Sequence, residues 1–362
     1  MRAVRIHLQM KGMALTTIAD PGRRVTVGID THGEVHVVAV LDERGRLLAT
    51  GSFATTSSGH RRLERWAVRF GAVEAFGVEG TGAWGAGVAR HLAAAGHRVV
   101  EVDRPDRSTR RRRGKSDTID AEAAARAVQS GTAAGVPKAR NGRIESIRAL
   151  RVARRSALKA RSQAAHQLHC LVSTAPDGLR DELRTLGLGD LVVRAARFRP
   201  GDTADPMQAT KAALRSVARR HRRLTDEIAE LDADLDRLVA SVAPNLVALN
   251  GVGTDVAGQL LVTAGDNPGR LRSEAAFAHL CGVSPIPASS GRTDRHRLNR
   301  GGDRHANAAL YRIVLCRLRW DPRTLAYRDR RTKDGLSKAE IIRCLKRYVA
   351  REVYSELTRL PA

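Results

Sequence analysis

The chain is poor in aromatic side chains: 5 Phe, 3 Trp and 4 Tyr make up only 3% of its 362 residues. That scarcity argues against a surface that stacks single-stranded bases and favours contact with the backbone of duplex or structured nucleic acid. Cysteine is sparse too. Cys170, Cys281, Cys316 and Cys344 lie far apart and form no CxxC pair, so neither a zinc ribbon nor a disulfide framework is indicated, and a reducing cytoplasm fits best. Nowhere do eighteen apolar residues run together, and the first residues, with Arg2, Arg5 and Lys11, lack a signal peptide's apolar run. No membrane association is expected. Acid is also in short supply: 38 Asp and Glu face 63 Lys and Arg, a formal net charge of +25. Such a surplus calls for a polyanionic partner and salt-dependent binding.

What is present suffices for folded domains. Hydrophobic residues are 42% of the chain, enough to build cores for two or three domains. Residues 1–23 read as a disordered leader, with Met13 as a second candidate start. Val25 to Ile29 reads as a strand ending in Asp30, Val35 to Leu41 as its hairpin partner and Leu47 to Phe53 as a third strand. A helix is expected over Gly59 to Phe70, a strand over Val73 to Val78 ending in Glu79, a helix over Trp84 to Ala95 and a strand over Arg98 to Val102. This order describes a mixed sheet covered by helices, with Asp30 and Glu79 at carboxyl ends of strands, where open α/β sheets place their sites.

Basic charge is concentrated. Arg104 to Lys115 holds seven basic residues, including Arg110, Arg111, Arg112 and Arg113, before a helix begins at Ser116-Asp117-Thr118-Ile119-Asp120. Lys138 to Arg161 sets nine against the single acid Glu145, and the seam of Ile144, Ile147, Leu150 and Leu158 predicts a long helix whose Arg151, Arg154 and Arg155 lie against nucleic acid. The plainer alternative is a solvated helical face. A heptad seam runs through Val217, His221, Leu224, Ile228, Leu231, Leu235, Leu238 and Val242, a coiled-coil pattern that pairs either with the 144–172 helix or with a second protomer. Pro176 to Asp205 reads as a looser connection. Leu249-Asn250-Gly251-Val252-Gly253-Thr254 resembles a helix-hairpin-helix turn, in which Gly251, Gly253 and Thr254 can hold a phosphate. Arg292 to Arg331 holds twelve arginines against Asp294, Asp303, Asp321 and Asp329, and Arg292, Arg300 and Arg304 are candidate phosphate contacts.

Asp30, Glu79, Asp117 and Asp120 form the constellation that carries chemistry. Two end strands; the other two share a helix face because residues i and i+3 are neighbours. If that helix crosses the sheet edge, the four carboxylates converge and repel one another unless divalent cations neutralise them. Mg²⁺ is the natural occupant, with Mn²⁺ as its substitute, and a pair of such ions would serve in-line phosphoryl transfer. Taken singly, each acid also has a structural reading as a turn former, an arginine partner or a helix N-terminal acid.

At these residues the chain resembles the DEDD-type insertion-sequence transposases, which have a RuvC-like N-terminal domain and are related to the Piv-type DNA invertases. The segments that carry the likeness are VGIDTHGEVHVVAV at 27–40, VEGTGAWG at 78–85, KSDTIDAEAAARA at 115–127, LNGVGTDVAGQLLVTAGD at 249–266 and FAHLCGVSPIPASSGRTDRHRLNRGGDRHANAALY at 277–311. The resemblance implies a recombinase that excises and inserts its own element, guided in several members by an element-encoded bridge RNA. It implies that Asp30, Glu79, Asp117 and Asp120 hold Mg²⁺. It also implies a nucleophilic serine just before a glycine, here Ser290 before Gly291, with Ser289 as the fallback. The active site would then be composite, from one chain or from two.

These readings give an α/β RNase H-like (RuvC-like) N-terminal domain at 24–136, a basic helix and coiled-coil region at 137–243, and a mainly α C-terminal domain at 244–362 with the hairpin-like turn and the serine. Partners would be DNA, a guide RNA and further copies of the chain in a dimer or tetramer, in a bacterial cytoplasm at the nucleoid. Two other readings stay open: a RuvC-like structure-specific nuclease that uses water, and a non-enzymatic architectural binder of nucleic acid.

Overall fold

A computed structural model describes residues 22–103, 116–292 and 296–360. The expected leader up to residue 21, the arginine run Arg110–Arg113 with Lys115, and Asp294 lie outside the described residues. The chain divides into two compact units, residues 1–139 and 140–362.

In the first unit, β1 (Arg24–Thr31), β2 (Val35–Asp42), β3 (Leu47–Ala54), β4 (Ala72–Glu79) and β5 (Val99–Val102) form a five-stranded sheet in the order β3-β2-β1-β4-β5. The first three strands are antiparallel neighbours, whereas β1 pairs β4 and β4 pairs β5 in parallel. The mixed sheet with helices on both faces is consistent with an α/β RNase H-like domain. The helices are α1 (Ser57–Ala67), α2 (Ala86–Ala94) and α3 (Asp117–Gln129). The expected helix over Gly59 to Phe70 begins two residues earlier, because Thr56 caps it by accepting from the Gly59 amide, and tightens into a 3₁₀ turn at Val68–Phe70.

Period-two alternation decides what each face of the sheet carries. Val25, Val27 and Ile29 of β1 join Phe76 and Val78 of β4 in a core with Leu63 of α1 and Leu92 of α2. The intervening residues, Gly28 and Asp30 on β1 and Gly77 and Glu79 on β4, therefore face the other way, toward α3. That helix lies almost on the backbone of the sheet. A Cβ on Gly28 would sit 2.0 Å from the Ala121 carbonyl oxygen and 2.4 Å from the Ala125 nitrogen, and one on Gly77 would be 2.6 Å from a Val128 methyl. Two glycines and three alanines, Ala121, Ala124 and Ala125, thus set the depth of α3.

The second unit is helical. α4 (Arg143–Ser173) and α7 (Pro206–Val242) pack antiparallel, with Leu168 and Val172 against Leu214 and Ala218 at one end and Ile144 and Ile147 grouped with Leu235 and Val239 at the other. Ile228 and Leu235 of the predicted seam are buried, but toward the ends Ala218 and Val239 take the inward places expected for Val217 and Leu238. A straight helix with 3.6 residues per turn drifts from a 3.5-residue repeat in this way. The stretch Pro176–Asp205 departs from the expected loose connection: it folds α5 (Asp177–Leu183) and α6 (Leu188–Ala196), which bury Leu179, Leu183, Leu191 and Val192 against the long helices. Then α8 (Pro244–Val247), α9 (Thr254–Ala264), α10 (Glu274–Leu280), α11 (Arg304–Trp320), α12 (Pro322–Lys333) and α13 (Lys338–Leu357) complete the unit, with a short hairpin of β6 (Ile286–Pro287) and β7 (His296–Arg297). One core joins Ile144 and Val239 to Leu260, Leu310 and Val349, so the long helices and the C-terminal helices share an interior. No helix among the described residues is long and apolar enough to cross a membrane.

Two outcomes are expected. Gly28→Ala should cost about 1–3 kcal/mol, or more if α3 cannot shift, as a lowered melting temperature in circular dichroism. A second effect concerns His36, which is fully buried on β2, stacked on His60 at 5.5 Å, with neither ring nitrogen hydrogen-bonded among the described residues. Burial, followed by the nearby His60 and His32, pushes its pKa from 6.5 down to about 4. Below pH 6.5 the unfolded chain therefore binds a proton that the native state refuses, and stability falls with pH. About 2 kcal/mol of unfolding free energy should be lost between pH 7 and pH 5, and His36→Leu should flatten that part of the urea-denaturation profile.

Candidate functional site

Asp30 is the last residue but one of β1 and Glu79 ends the parallel neighbour β4, so both carboxylates emerge on the same edge and face. The Thr31 hydroxyl donates to the Glu79 carbonyl at 2.9 Å and ties the two strand ends together. Asp117 and Asp120 occupy the first turn of α3, where the helix dipole favours acids, and Ser116 forms the N-cap. Because α3 rests on Gly28 and Gly77, its first turn overhangs these strand ends. Asp30, Glu79 and Asp120 line one cavity of about 570 Å³. Asp30 and Asp120 are buried, at 6% and 4% exposure, while the Asp117 side chain is half exposed.

The electrostatics record the convergence. Burial raises the proton affinity of Asp30; His32 opposes this, and the charges of Asp120 and Asp117 add to it. His32 lies between two of the acids, its Nε2 3.1 Å from Asp30 Oδ2 and 3.4 Å from Asp117 Oδ1. One donor atom from each of Asp30, His32 and Asp117 falls within 4.8 Å of the others, a spacing that a divalent cation can bridge. This donor set suits such an ion: carboxylate oxygens take Mg²⁺ or Mn²⁺, and the imidazole nitrogen is the better ligand for Mn²⁺.

Sequence reasoning passed over His32, Glu101 and Asp103. His32 stands two residues beyond Asp30 and so continues the same face, a period-two signal available in the sequence. Glu101 and Asp103 line the cavity from β5 and its carboxyl end, and Glu101 accepts a hydrogen bond from Thr81. Val102 is the β5 residue level with Glu79, and Asp103 follows it directly at the strand's carboxyl end. Trp84, 61% exposed, stands at the rim beside Gly33.

In the second unit, Ser289 and Ser290 are exposed in the segment between β6 and β7, and Gly291 has a φ of +55°. Their hairpin also carries the exposed Arg292. The arginines of α4 divide by role. Arg151 is buried to 10% exposure and donates to the Asp255 carboxylate at 2.7 Å, and Arg154 pairs with Asp232. Burial would raise the pKa of Asp255, but Arg151 and Arg312 outweigh it and hold the carboxyl below the usual range. Arg151 and Arg154 therefore spend their charge inside the unit, whereas Arg155 is exposed and bonds His305 at 3.1 Å. At the hairpin-like turn Gly251 has a φ of +77°, Gly253 is the N-cap of α9 without a side-chain cap, and the Thr254 hydroxyl donates to Asp236. Arg300 and Arg304 are exposed, but the amides of His305 and Ala306 at the start of α11 are taken by the Asp303 carboxylate.

Two family profiles match this chain. A profile of DEDD-type IS110 transposases, described as transposase, matches residues 27–175, and one described as transposase IS116/IS110/IS902 family matches residues 243–329. The chain is similar to the insertion element IS900 uncharacterized 42 kDa protein of Mycobacterium paratuberculosis, 26% identical over 190 residues, covering 46% of this chain and 47% of the relative. It is 31% identical over 121 residues to the insertion element IS110 uncharacterized 43.6 kDa protein of Streptomyces coelicolor, covering 32% and 29% of the two chains. The matched parts thus span about half of one relative and under a third of the other.

If the carboxylates hold a divalent cation, the ion stabilises the folded first unit. Saturating Mn²⁺ or Mg²⁺, at about a hundred times the dissociation constant, should add about 2.7 kcal/mol to unfolding, read as a rise in melting temperature. The Asp30→Asn, Asp120→Asn double variant should show no such rise; an equal rise in both proteins would exclude this site.

Proposed function

Because the chain belongs to the DEDD-type insertion-sequence transposases, we propose that it is a metal-dependent DNA recombinase that excises and inserts its own element through a covalent phosphoserine link. The observation that carries this reading is the convergence of Asp30, Asp117 and Asp120 beside Glu79, with burial and like charge raising the proton affinity of Asp30. In the proposal these four acids hold Mg²⁺, or Mn²⁺ in its place, with His32 within reach as a nitrogen donor. When bound, the cation lowers the pKa of a coordinated oxygen and neutralises charge on the reacting phosphate.

Ser290 supplies the attacking hydroxyl in this proposal, with Ser289 as the fallback. Its Oγ–P bond forms as one P–O bond of the phosphodiester breaks, and the departing oxygen keeps the electron pair and takes up a proton. The phosphoserine retains the energy of the cut bond for rejoining. Exposure of both serines supports the assignment, since the hydroxyl must reach a nucleic-acid backbone. DNA, an element-encoded guide RNA and further copies of the chain are the proposed partners, and the cytoplasm at the nucleoid is the proposed location. The charge of +25 supports the nucleic-acid partners. Arg155, Arg292, Arg300 and Arg304, with the α9 turn at Gly251, Gly253 and Thr254, are the proposed backbone contacts. The further candidates Arg110–Arg113 and Lys115 lie outside the described residues.

The test is to incubate the protein with its element-end DNA, guide RNA and Mg²⁺, denature, and separate covalent protein–DNA species by gel. The wild type should give an adduct that disappears in Ser290→Ala and in Asp120→Asn. An adduct that persists in the Ser289→Ala, Ser290→Ala double variant would sink the serine assignment. Cleavage without an adduct would favour a nuclease that uses water, and binding without cleavage an architectural role.

A further inference from the structure

A groove of about 950 Å³ runs in the second unit from β7, the strand that leaves the serine hairpin, to α12 and α13. The volume is at the upper end of what small-molecule sites enclose. Its basic lining is only partly neutralised. Arg331 pairs with Asp334 at 3.0 Å, Arg347 pairs with Glu274, and Lys346 donates to Asn307 at 2.9 Å. Arg297 and Arg343, by contrast, are exposed and make no ion pair or hydrogen bond among the described residues. The acid that lines the groove, Glu340, is turned back to Ser337 in a capping box at 2.6 and 2.9 Å.

Between these cations stand exposed apolar surfaces. Tyr348 is 48% exposed and Leu298 is 54% exposed. Tyr327 meets Tyr348 edge to face at 5.5 Å, and the Arg330 guanidinium lies over the Tyr327 ring at 5.4 Å. The two tyrosines and Arg330 also line a second trough of about 910 Å³, so the ring pair stands as a ridge between two depressions. A duplex presents its phosphates and keeps its bases stacked inside; an exposed ring flanked by unpaired guanidiniums matches a strand whose base faces are free.

We propose that this groove binds an unpaired nucleic-acid strand, with a base stacked on Tyr348 and flanking phosphates held by Arg297, Arg330 and Arg343. This deepens the recombinase reading by giving the nucleic acid near the serine hairpin a single-stranded segment, and it rests on that reading for the strand's role, though not for its binding. Single-stranded DNA and single-stranded RNA share the required chemistry.

The test uses the full chain and fluorescence anisotropy with labelled twelve-residue oligo(dT), oligo(U) and a twelve-base-pair duplex. Tyr348→Ala should weaken single-strand binding about 5- to 150-fold, the range found for loss of one base-stacking contact. It should leave duplex binding within twofold, and Tyr348→Phe should restore the single-strand affinity. Arg343→Gln, a change on the exposed face, should lower the slope of log K against log salt by about 0.7 for a single strand. The tighter of the two oligonucleotides identifies the natural strand. Unchanged single-strand affinity in Tyr348→Ala, or an equal loss on duplex, would overturn the proposal. Asp120→Asn keeps the groove, so single-strand binding retained with cleavage lost separates this inference from the catalytic one.

Discussion

The first unit depends on how closely α3 approaches the sheet. Gly28 and Gly77 remove the two side chains that would hold the helix off, and Ala121, Ala124 and Ala125 present nothing larger than a methyl in return. The consequence reaches the helix's first turn, because a helix is stiff along its axis and its depth at Ala121 fixes the depth at Asp117 and Asp120. Burial, with the charges of Asp120 and Asp117 adding to it against His32, raises the proton affinity of Asp30. Packing with almost no side-chain volume thus assembles a costly electrostatic cluster, the pattern expected where a site draws on stability supplied elsewhere in the fold.

The same strands illustrate what a sequence makes legible. The strands that carry Asp30 and Glu79 to their carboxyl ends and the helix beginning near Asp117 could be read from alternation and punctuation, since each is a local pattern, whereas the parallel pairing of β1 with β4 is a long-range relation. The closeness of α3 could also have been read, because a glycine at a facing position on each of two parallel strands, with small residues recurring on one helix, signals contact of backbones. His32 escaped because a lone histidine after a strand looks like a turn residue. The helices α5 and α6 escaped because Gly187, Gly189 and Pro200 suggested irregular chain, although Leu179 and Leu183, and Leu191 and Ala195, are spaced four apart and share helix faces. Tertiary burial against Leu168 and Leu214 outweighed the local breakers.

Charge was legible as a total and opaque as a distribution. Arg151 and Arg154 read in the sequence as cations facing nucleic acid, yet they serve Asp255 and Asp232, and Arg317, one of the twelve arginines of the C-terminal stretch, is 9% exposed and bonds the Asn250 carbonyl at 2.8 Å and Glu352 at 2.8 Å. These arginines hold the turn before α9 to the neighbouring helices. A buried pair of this kind adds little net stability but costs heavily if one partner is removed. Part of the positive surplus is therefore structural, and the part open to a polyanion is the remainder, on side chains such as Arg155, Arg297 and Arg343.

Aromatic scarcity shows the same difference between an average and a place. At 3% of the chain, aromatic residues are too few to line an extended surface, and from composition alone base stacking is a poor expectation. Their positions change the argument. All four tyrosines fall between Tyr311 and Tyr354, and two of them meet edge to face among guanidiniums of which Arg297, Arg330 and Arg343 make no ion pair among the described residues. A single exposed ring is enough to hold one base, provided that cations beside it hold the flanking phosphates, so a chain can be poor in aromatics throughout and still read an unpaired strand at one point. The backbone-directed reading of the arginines and the base-directed reading of the tyrosine ridge are thus compatible. One accounts for affinity along the nucleic acid, the other for a local choice of unpaired structure.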